Sequence, residues 1–199
     1  FCCGGKISLK EACKEKNINE RLILDELNAG KINNGIKQNI QGWNSKFLMD
    51  YIFHNHHSFI REKGPDIIIY LNKIQKINGV KHPELKEIYE LFNEIHEEIL
   101  IHLIEEEKTF LIEKAYSEIN DIQKQNIIHT IKSALDDHEM IGQQIKKIIN
   151  LSNNYKLPED ACNTYKLAFF ELKNYIEDLF IHIHLENNVL FPKIEEEIK

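Results

Sequence analysis

From Ser45 onward, apolar residues recur three and four positions apart in four long stretches that are only briefly interrupted. That period is helical and leaves no room for a sheet. The first stretch runs over residues 45–78, with Gly64-Pro65 expected to kink it. The second begins at Pro83, a favourable first-turn residue, and runs to about 115. The third spans about 119–151. The fourth begins near Pro158 and reaches about 187, with Pro192 bending its end. Connections of a few residues make consecutive helices antiparallel neighbours. The expected fold is therefore all-α, an up-down-up-down four-helix bundle. Composition agrees, since 199 residues hold only 4 prolines and 8 glycines, and 42% are hydrophobic, enough to bury a core.

Two shorter helices precede the bundle. Ser8 followed by Glu11 reads as a capping box opening a helix over 8–16. Asn19 caps a second, over 20–27, which stops near Gly30. Residues 30–44 are rich in Gly, Asn and Gln and read as a linker. The expected organisation is a small N-terminal helical unit with its linker, residues 1–43, followed by the bundle, residues 44–199.

Charge narrows the partners. The chain has 25 Lys+Arg against 32 Asp+Glu, a net of −7. Nucleic-acid binders usually carry a basic surplus, so none is expected as a partner. The longest aliphatic runs, such as Ile67-Ile68-Ile69, fall far short of the roughly 18–20 residues of a membrane span. The four cysteines are Cys2, Cys3, Cys13 and Cys162, which is no framework of spaced disulfide pairs. With no signal peptide visible, the expected compartment is the cytoplasm. Cys162, near the start of the fourth helix, is expected to be a small buried residue.

Polar residues interrupt the apolar stripes. The second helix carries Ile88, Leu91, Ile95 and Ile99 on one face, and that stripe continues to His102, Glu106 and Phe110. His102 and Glu106 are four apart and stand one turn from each other. The fourth helix repeats the pattern: Ala168, Leu172, Tyr175 and Leu179 lead to His182 and Glu186, then Val189 and Leu190. The third runs Ile131, Ala134, His138, Ile141, Gly142, Ile145, Ile149.

A single histidine on an apolar face is ordinarily a hydrogen-bonded core residue. Two His-x-x-x-Glu pairs plus His138, all on core stripes, call for another explanation. A buried carboxylate without a partner costs several kcal/mol. Two glutamates converging in one core would also repel, and one would stay protonated. A cation resolves both problems. Imidazole with carboxylate suits Fe, Mn or Zn, and two glutamates able to bridge suit a pair of ions better than one.

The first helix offers His54, His56 and His57, and periodicity leaves the choice among them open, because Met49, Phe53 and Ile60 flank both His56 and His57. Glu98, one turn before His102, and Asp137, beside His138, are candidates to orient a ligand or move protons. His96 and His129 lack a matching pattern and read as surface or structural residues. His184 points away from the His182 face.

Cys2-Cys3-Gly4-Gly5-Lys6 stands apart. Adjacent cysteines suit an ordinary disulfide poorly. A thiol pair just before a helix N-terminus feels a dipole that favours thiolate, so Cys2 and Cys3 are candidates for redox or metal-transfer chemistry, the alternative being buried thiols that pack the small N-terminal unit. The glycine pair lacks the spacing of a phosphate loop.

Taken together, these residues resemble the RIC (repair of iron centres) proteins, hemerythrin-like di-iron proteins, over the whole chain. Phe1-Cys2-Cys3-Gly4-Gly5-Lys6 with Ser8-Leu9 and Ala12 resembles the family's N-terminal turn. His57-x-x-x-Arg61-Glu62 with Pro65 resembles its first helix motif, which selects His57. His96-Glu97-Glu98 with His102-x-x-x-Glu106-Glu107 resembles the second motif, and Asp137-His138-Glu139 the third. Pro158-Glu159-Asp160-Ala161-Cys162 and the run from His182 to Pro192 resemble the fourth. Asp137 departs from the pattern, because relatives often carry Glu there. The resemblance implies metal ligands at His57, His102, Glu106, His138, His182 and Glu186.

It further implies a hemerythrin-like bundle holding two Fe ions in an oxo- or hydroxo-bridged di-iron centre, with Mn or Zn accepting the same donors. The implied function is repair of iron–sulfur clusters damaged by nitrosative or oxidative stress, by iron donation or nitric oxide binding. Damaged iron–sulfur proteins would be the clients, nitric oxide or oxygen the small ligands, and the chain a monomer or homodimer. One alternative is a di-iron nitric oxide reductase or peroxidase. Another is an oxygen or nitric oxide sensor or carrier, which has no need of the Cys-Cys turn. A metal-free helical adaptor is the structural alternative.

Overall fold

The computed structural model describes residues 8–24, 40–115 and 119–199. Helix α1, Leu9–Glu15, opens on the expected capping box: Ser8 Oγ accepts from the Glu11 N–H at 3.2 Å, and Glu11 Oε2 accepts from the Ser8 N–H at 2.9 Å. Residues 20–24 are helical behind Asn19, whose Oδ1 accepts the Arg21 N–H. The remainder of that expected helix and the linker up to residue 39 lie outside the described residues.

The long helices follow as α2 (Ser45–Ile52), α3 (Ser58–Asn78), α4 (Glu84–Ala115), α5 (Asp121–Leu151), α6 (Asn163–Leu185) and α7 (Phe191–Glu197). One π-helical turn, Phe53–His57, joins α2 to α3, and another, Glu186–Leu190, joins α6 to α7. The expected first helix is thus α2–π–α3, and the fourth is α6–π–α7. No strand occurs among the described residues. None of their helices is long and apolar enough to cross a membrane. α3 packs against α4 and α6, and α4 packs against α5, the neighbour order of an antiparallel bundle.

Asparagine side chains start two of these helices. Asn44 Oδ1 accepts the Phe47 N–H at 2.8 Å. Asn120 and Gln123 form a reciprocal capping box.

Three boundaries differ from expectation. α3 runs unbroken through Gly64-Pro65, and the irregularity falls earlier, in the π turn. The close approach of α4 explains why a glycine stands there. A Cβ on Gly64 would lie 2.0 Å from His96 Cε1. α6 starts at Asn163 rather than near Pro158, because the connection before it is held as a loop. Asn153, Asn154 and Tyr155 have positive φ there, and Asp160 accepts from His82 Nε2 at 3.0 Å and Lys81 Nζ at 3.2 Å. Cys162 is consequently exposed at the N-cap of α6, which corrects the expectation of a buried residue. The fourth helix continues past 187, with Pro192 in the first turn of α7, where a missing N–H is harmless.

The core forms two apolar clusters. One draws Ile67, Phe92, Ile145 and Leu172 from the four long helices. The other gathers Ile52, Phe110, Ile131, Leu190 and Phe191. Each helix passes from one cluster to the other at its buried polar residues: at His57, at His102 and Glu106, at His138, and at His182 and Glu186. The polar layer is therefore sealed on both sides by hydrocarbon.

Candidate metal centre

The π turns set up the layer. An extra residue per turn shifts the helical phase, and such turns concentrate at functional sites. His57 ends the first and Glu186 begins the second. Because of the phase shift, His56 and His57 are both buried while His54 is exposed.

Two quartets result, His57–Glu106–His182–Glu186 and His102–Glu106–His138–Glu186, with the donor atoms within each no more than 4.8 Å apart. In the first, His57 Nε2 lies 3.1 Å from His182 Nε2 and 3.4 Å from Glu186 Oε1, which is 2.9 Å from His182 Nε2. In the second, the His102 and His138 Nε2 atoms are 3.0 Å apart, and Glu186 Oε2 lies 3.4 Å from His138 Nε2. Glu106 Oε2 reaches both sides, at 3.3 Å from His102 Nε2 and 3.9 Å from His57 Nε2. The carboxylates are common to both quartets, as bridging groups would be.

The donors fit metal ions. Two donors bound at about 2.1 Å to one ion, at right angles, stand about 3.0 Å from each other, which is the spacing of both imidazole pairs. Both oxygens of Glu106 and Oε2 of Glu186 are buried without a hydrogen-bond partner. Orphaned buried acceptors of this kind demand a cation or a proton.

Electrostatics describes the same demand. Burial and then the charge of Glu106 push Glu186 upward. Burial acts on Glu106 too, but His102 outweighs it and holds Glu106 low. Burial holds His138 down to about 3, helped by the His102 charge, and burial likewise holds His182 down to about 3. Burial opposes charge on His102, yet Glu106 and Asp137 raise it. One carboxyl kept neutral beside one kept ionised is what two crowded acids do without a cation.

Outer groups fix three of the four rings. His57 Nδ1 bonds Glu107 Oε1 at 2.8 Å, and Arg61 Nη1 donates to the same oxygen at 2.8 Å. Burial opposes charge on Glu107, but these two bonds hold it down to about 2. His102 Nδ1 bonds Asp137 Oδ2 at 3.1 Å, and His138 Nδ1 bonds Asn187 Oδ1 at 2.8 Å. In each case the outer group turns the Nε2 lone pair toward the layer.

The structure brings together all six residues expected as ligands, with Asp137 behind one of them. Glu98 is exposed and lines a cleft of about 300 Å³ that also touches His102 and Asp137. Cys2 and Cys3 lie outside the described residues. His96 is buried, its Nδ1 3.0 Å from the Tyr175 hydroxyl, which is a structural role and not a surface one. His129 and His184 are exposed. Sequence reasoning assigned no role to Glu107 or Asn187. Arg61, one turn beyond His57, was the available sign of an acid between them; nothing comparable flags Asn187.

A family model for the hemerythrin HHE cation binding domain matches residues 48–194, and a model for a domain of unknown function matches residues 1–31. The chain is 34% identical over 197 residues to the iron-sulfur cluster repair protein ScdA of Staphylococcus epidermidis, covering 98% of this chain and 87% of that one. It is 31% identical over 196 residues to ScdA of Staphylococcus haemolyticus, covering 97% and 86%. It is 28% identical over 195 residues to the iron-sulfur cluster repair protein YtfE of Yersinia pseudotuberculosis, covering 97% and 85%. With the bundle matched across residues 48–194 and near-full-length relatives above 30% identity, the chain belongs to the hemerythrin HHE cation binding domain family, among relatives named iron-sulfur cluster repair proteins.

Proposed function

We propose that this chain binds two iron ions between His57, Glu106, His182 and Glu186 on one side and His102, Glu106, His138 and Glu186 on the other, and acts in repair of damaged iron–sulfur clusters. The sharing of Glu106 and Glu186 by two imidazole pairs carries the reading. The names of the near-full-length relatives support the repair role. When bound, the ions supply electrons and open coordination positions for small ligands such as nitric oxide or oxygen. Manganese or zinc would find the same donors acceptable.

The chain's own residues do the rest. Glu107, Asp137 and Asn187 hold the Nδ1 atoms of His57, His102 and His138, so these rings face the layer before metal arrives. The two apolar clusters keep bulk water out. The cleft lined by Glu98, His102 and Asp137 gives the layer one polar approach from the surface. Cys2 and Cys3 serve as redox or iron-transfer thiols in the unit formed by residues 1–43, which precedes the bundle of residues 44–199. Clients are proteins with damaged clusters, met in the cytoplasm by a monomer or homodimer.

The test is metal stoichiometry with an absorption spectrum, followed by incubation with a nitric-oxide-inactivated iron–sulfur enzyme. About two irons per chain and recovery of the client's activity are expected; His102→Ala should lose one iron and the recovery. Fewer than one metal per chain, with unchanged stability in that variant, would leave a metal-free adaptor as the better description.

A further inference from the structure

Three of the four histidines that line the layer have an outer partner on Nδ1; His182 has none. Its Nδ1 is fully buried and makes no hydrogen bond. Nε2 faces Glu186 and His57; when a metal ion takes its lone pair, a neutral His182 carries its proton on Nδ1 and holds a donor with nothing to donate to.

Two more orphans lie beside it. Asp178 stands one turn before His182 on α6, so the two side chains share a face. Asp178 Oδ1 accepts from His56 Nδ1 at 3.0 Å, but its Oδ2 is buried and unpartnered. His56 is buried as well, and with its proton on Nδ1 its Nε2 is an acceptor, also unpartnered. The His56 and His182 rings are 6.3 Å apart, and both His56 and Asp178 act electrostatically on His182.

The inventory is one donor, His182 Nδ1–H, and two acceptors, Asp178 Oδ2 and His56 Nε2. A single water molecule accepts once and donates twice, which satisfies all three. Buried waters typically make about three hydrogen bonds to polar groups left unsatisfied in this way.

The geometry points to Asp178, held by His56, as the positioning residue for His182, acting through one buried water shared by Asp178 Oδ2, His56 Nε2 and His182 Nδ1. This water does for His182 what Glu107, Asp137 and Asn187 do directly for the other rings. The inference rests on the metal-binding reading above, and it adds Asp178, which no sequence motif flagged, and gives His56 a role other than ligand. His182 belongs to only one quartet, so Asp178 supports one ion and not the other.

Two measurements on the full chain decide it. In a crystal structure of the iron-loaded wild type, density for a water within roughly 2.6–3.2 Å of all three atoms is expected. No density there overturns the proposal. Chelator competition on iron-loaded protein then compares wild type, Asp178→Ala and Asp178→Asn. In Asp178→Ala one of the two ions weakens roughly 10–100-fold while the other stays within about twofold. Asp178→Asn, which keeps one acceptor, recovers most of that loss. Unchanged affinities, or equal weakening of both ions, overturn the proposal while leaving the metal-binding reading intact. A wild type that binds no metal overturns both. If Asp178→Ala fails to fold, the crystal density still decides.

Discussion

Glu186 turns Oε1 toward His182, at 2.9 Å, and Oε2 toward His138, at 3.4 Å, so one buried carboxylate spans both imidazole pairs. It sits at the start of a π turn, opposite the π turn that ends in His57. Two local departures from α-helical phase therefore face each other across one layer. The layer is also where both apolar clusters stop. Burial that stabilises the bundle elsewhere is here spent on groups that are unfavourable until a cation joins them.

Glu186→Gln should separate metal binding from stability. The substitution removes one of the two shared carboxylates, so metal content should fall below one ion per chain. His138→Ala, which touches one quartet only, should keep one ion. In metal-free protein at pH 8.5 Glu186→Gln should melt no lower than wild type, because wild type must there ionise a buried carboxyl that prefers to stay neutral. Metal analysis and thermal melts check both halves. Full metal content in Glu186→Gln would show that Glu186 is not a shared ligand.

Metal-free protein should have a stability maximum near pH 6.5. His138 and His182 are held down to about 3 in the folded chain, below their ordinary 6.5. Between those values the unfolded chain binds more protons, so stability falls as pH drops below 6.5. Glu186, pushed up to about 8, opposes this above 4.5, but as one proton against two. Above 6.5 the balance reverses. The folded chain now holds protons on Glu186 and on the raised His102 that the unfolded chain has released, so stability falls as pH rises. Bound metal holds the glutamates ionised and the histidines neutral, which removes the alkaline fall. Denaturation midpoints from pH 5 to 9, with and without metal, test this. A metal-free midpoint that climbs steadily through pH 8 would contradict it.

Much of this was legible in the sequence, and the exceptions have local causes. Helical period placed His102, Glu106, His138, His182 and Glu186 because α4, α5 and α6 keep regular phase up to them, the second π turn starting only at Glu186 itself. It could not choose among His54, His56 and His57 because the π turn over Phe53–His57 adds a residue there, burying His56 and His57 together. Gly64-Pro65 suggested a kink from local chemistry alone. The reason for Gly64 lies across the bundle, in the His96 ring, which no local pattern contains. Cys162 was misplaced for a similar reason, since the loop before α6 is pinned by His82, about eighty positions earlier.

Gly64→Ala should destabilise the bundle despite improving helix propensity. Alanine gains about 1 kcal/mol over glycine in a helix interior. Against that, the new Cβ would meet three atoms of the His96 ring, at 2.0, 2.3 and 2.4 Å. Moving that ring breaks its 3.0 Å bond to the Tyr175 hydroxyl and its stacking on Phe92. Overpacking of this kind costs about 1–3 kcal/mol, so after the propensity gain a net loss of up to about 2 kcal/mol is expected. In a His96→Ala background the clash is gone and Gly64→Ala should stabilise by up to about 1 kcal/mol. Urea denaturation of the four proteins gives the cycle, and equal effects in both backgrounds would refute the coupling.

Glu107→Ala should weaken one ion of the pair selectively. Glu107 Oε1 holds His57 Nδ1 at 2.8 Å, and Arg61 holds the same oxygen from the other side. Losing that carboxylate frees the His57 ring to rotate and leaves its Nδ1 without a partner, while His102 keeps Asp137 and His138 keeps Asn187. Affinity at the His57–His182 quartet should drop roughly 10–100-fold, with the other quartet unaffected. Arg61→Ala should lower the same affinity less, because it acts only through Glu107, which still reaches His57. Asp137→Ala should reproduce the Glu107→Ala loss at the opposite ion. Chelator titration resolves the two ions as separate phases, and the combination Glu107→Ala/Asp137→Ala should weaken both. If either single variant released both ions together, the outer carboxylates would be acting on the bundle as a whole and not on individual rings.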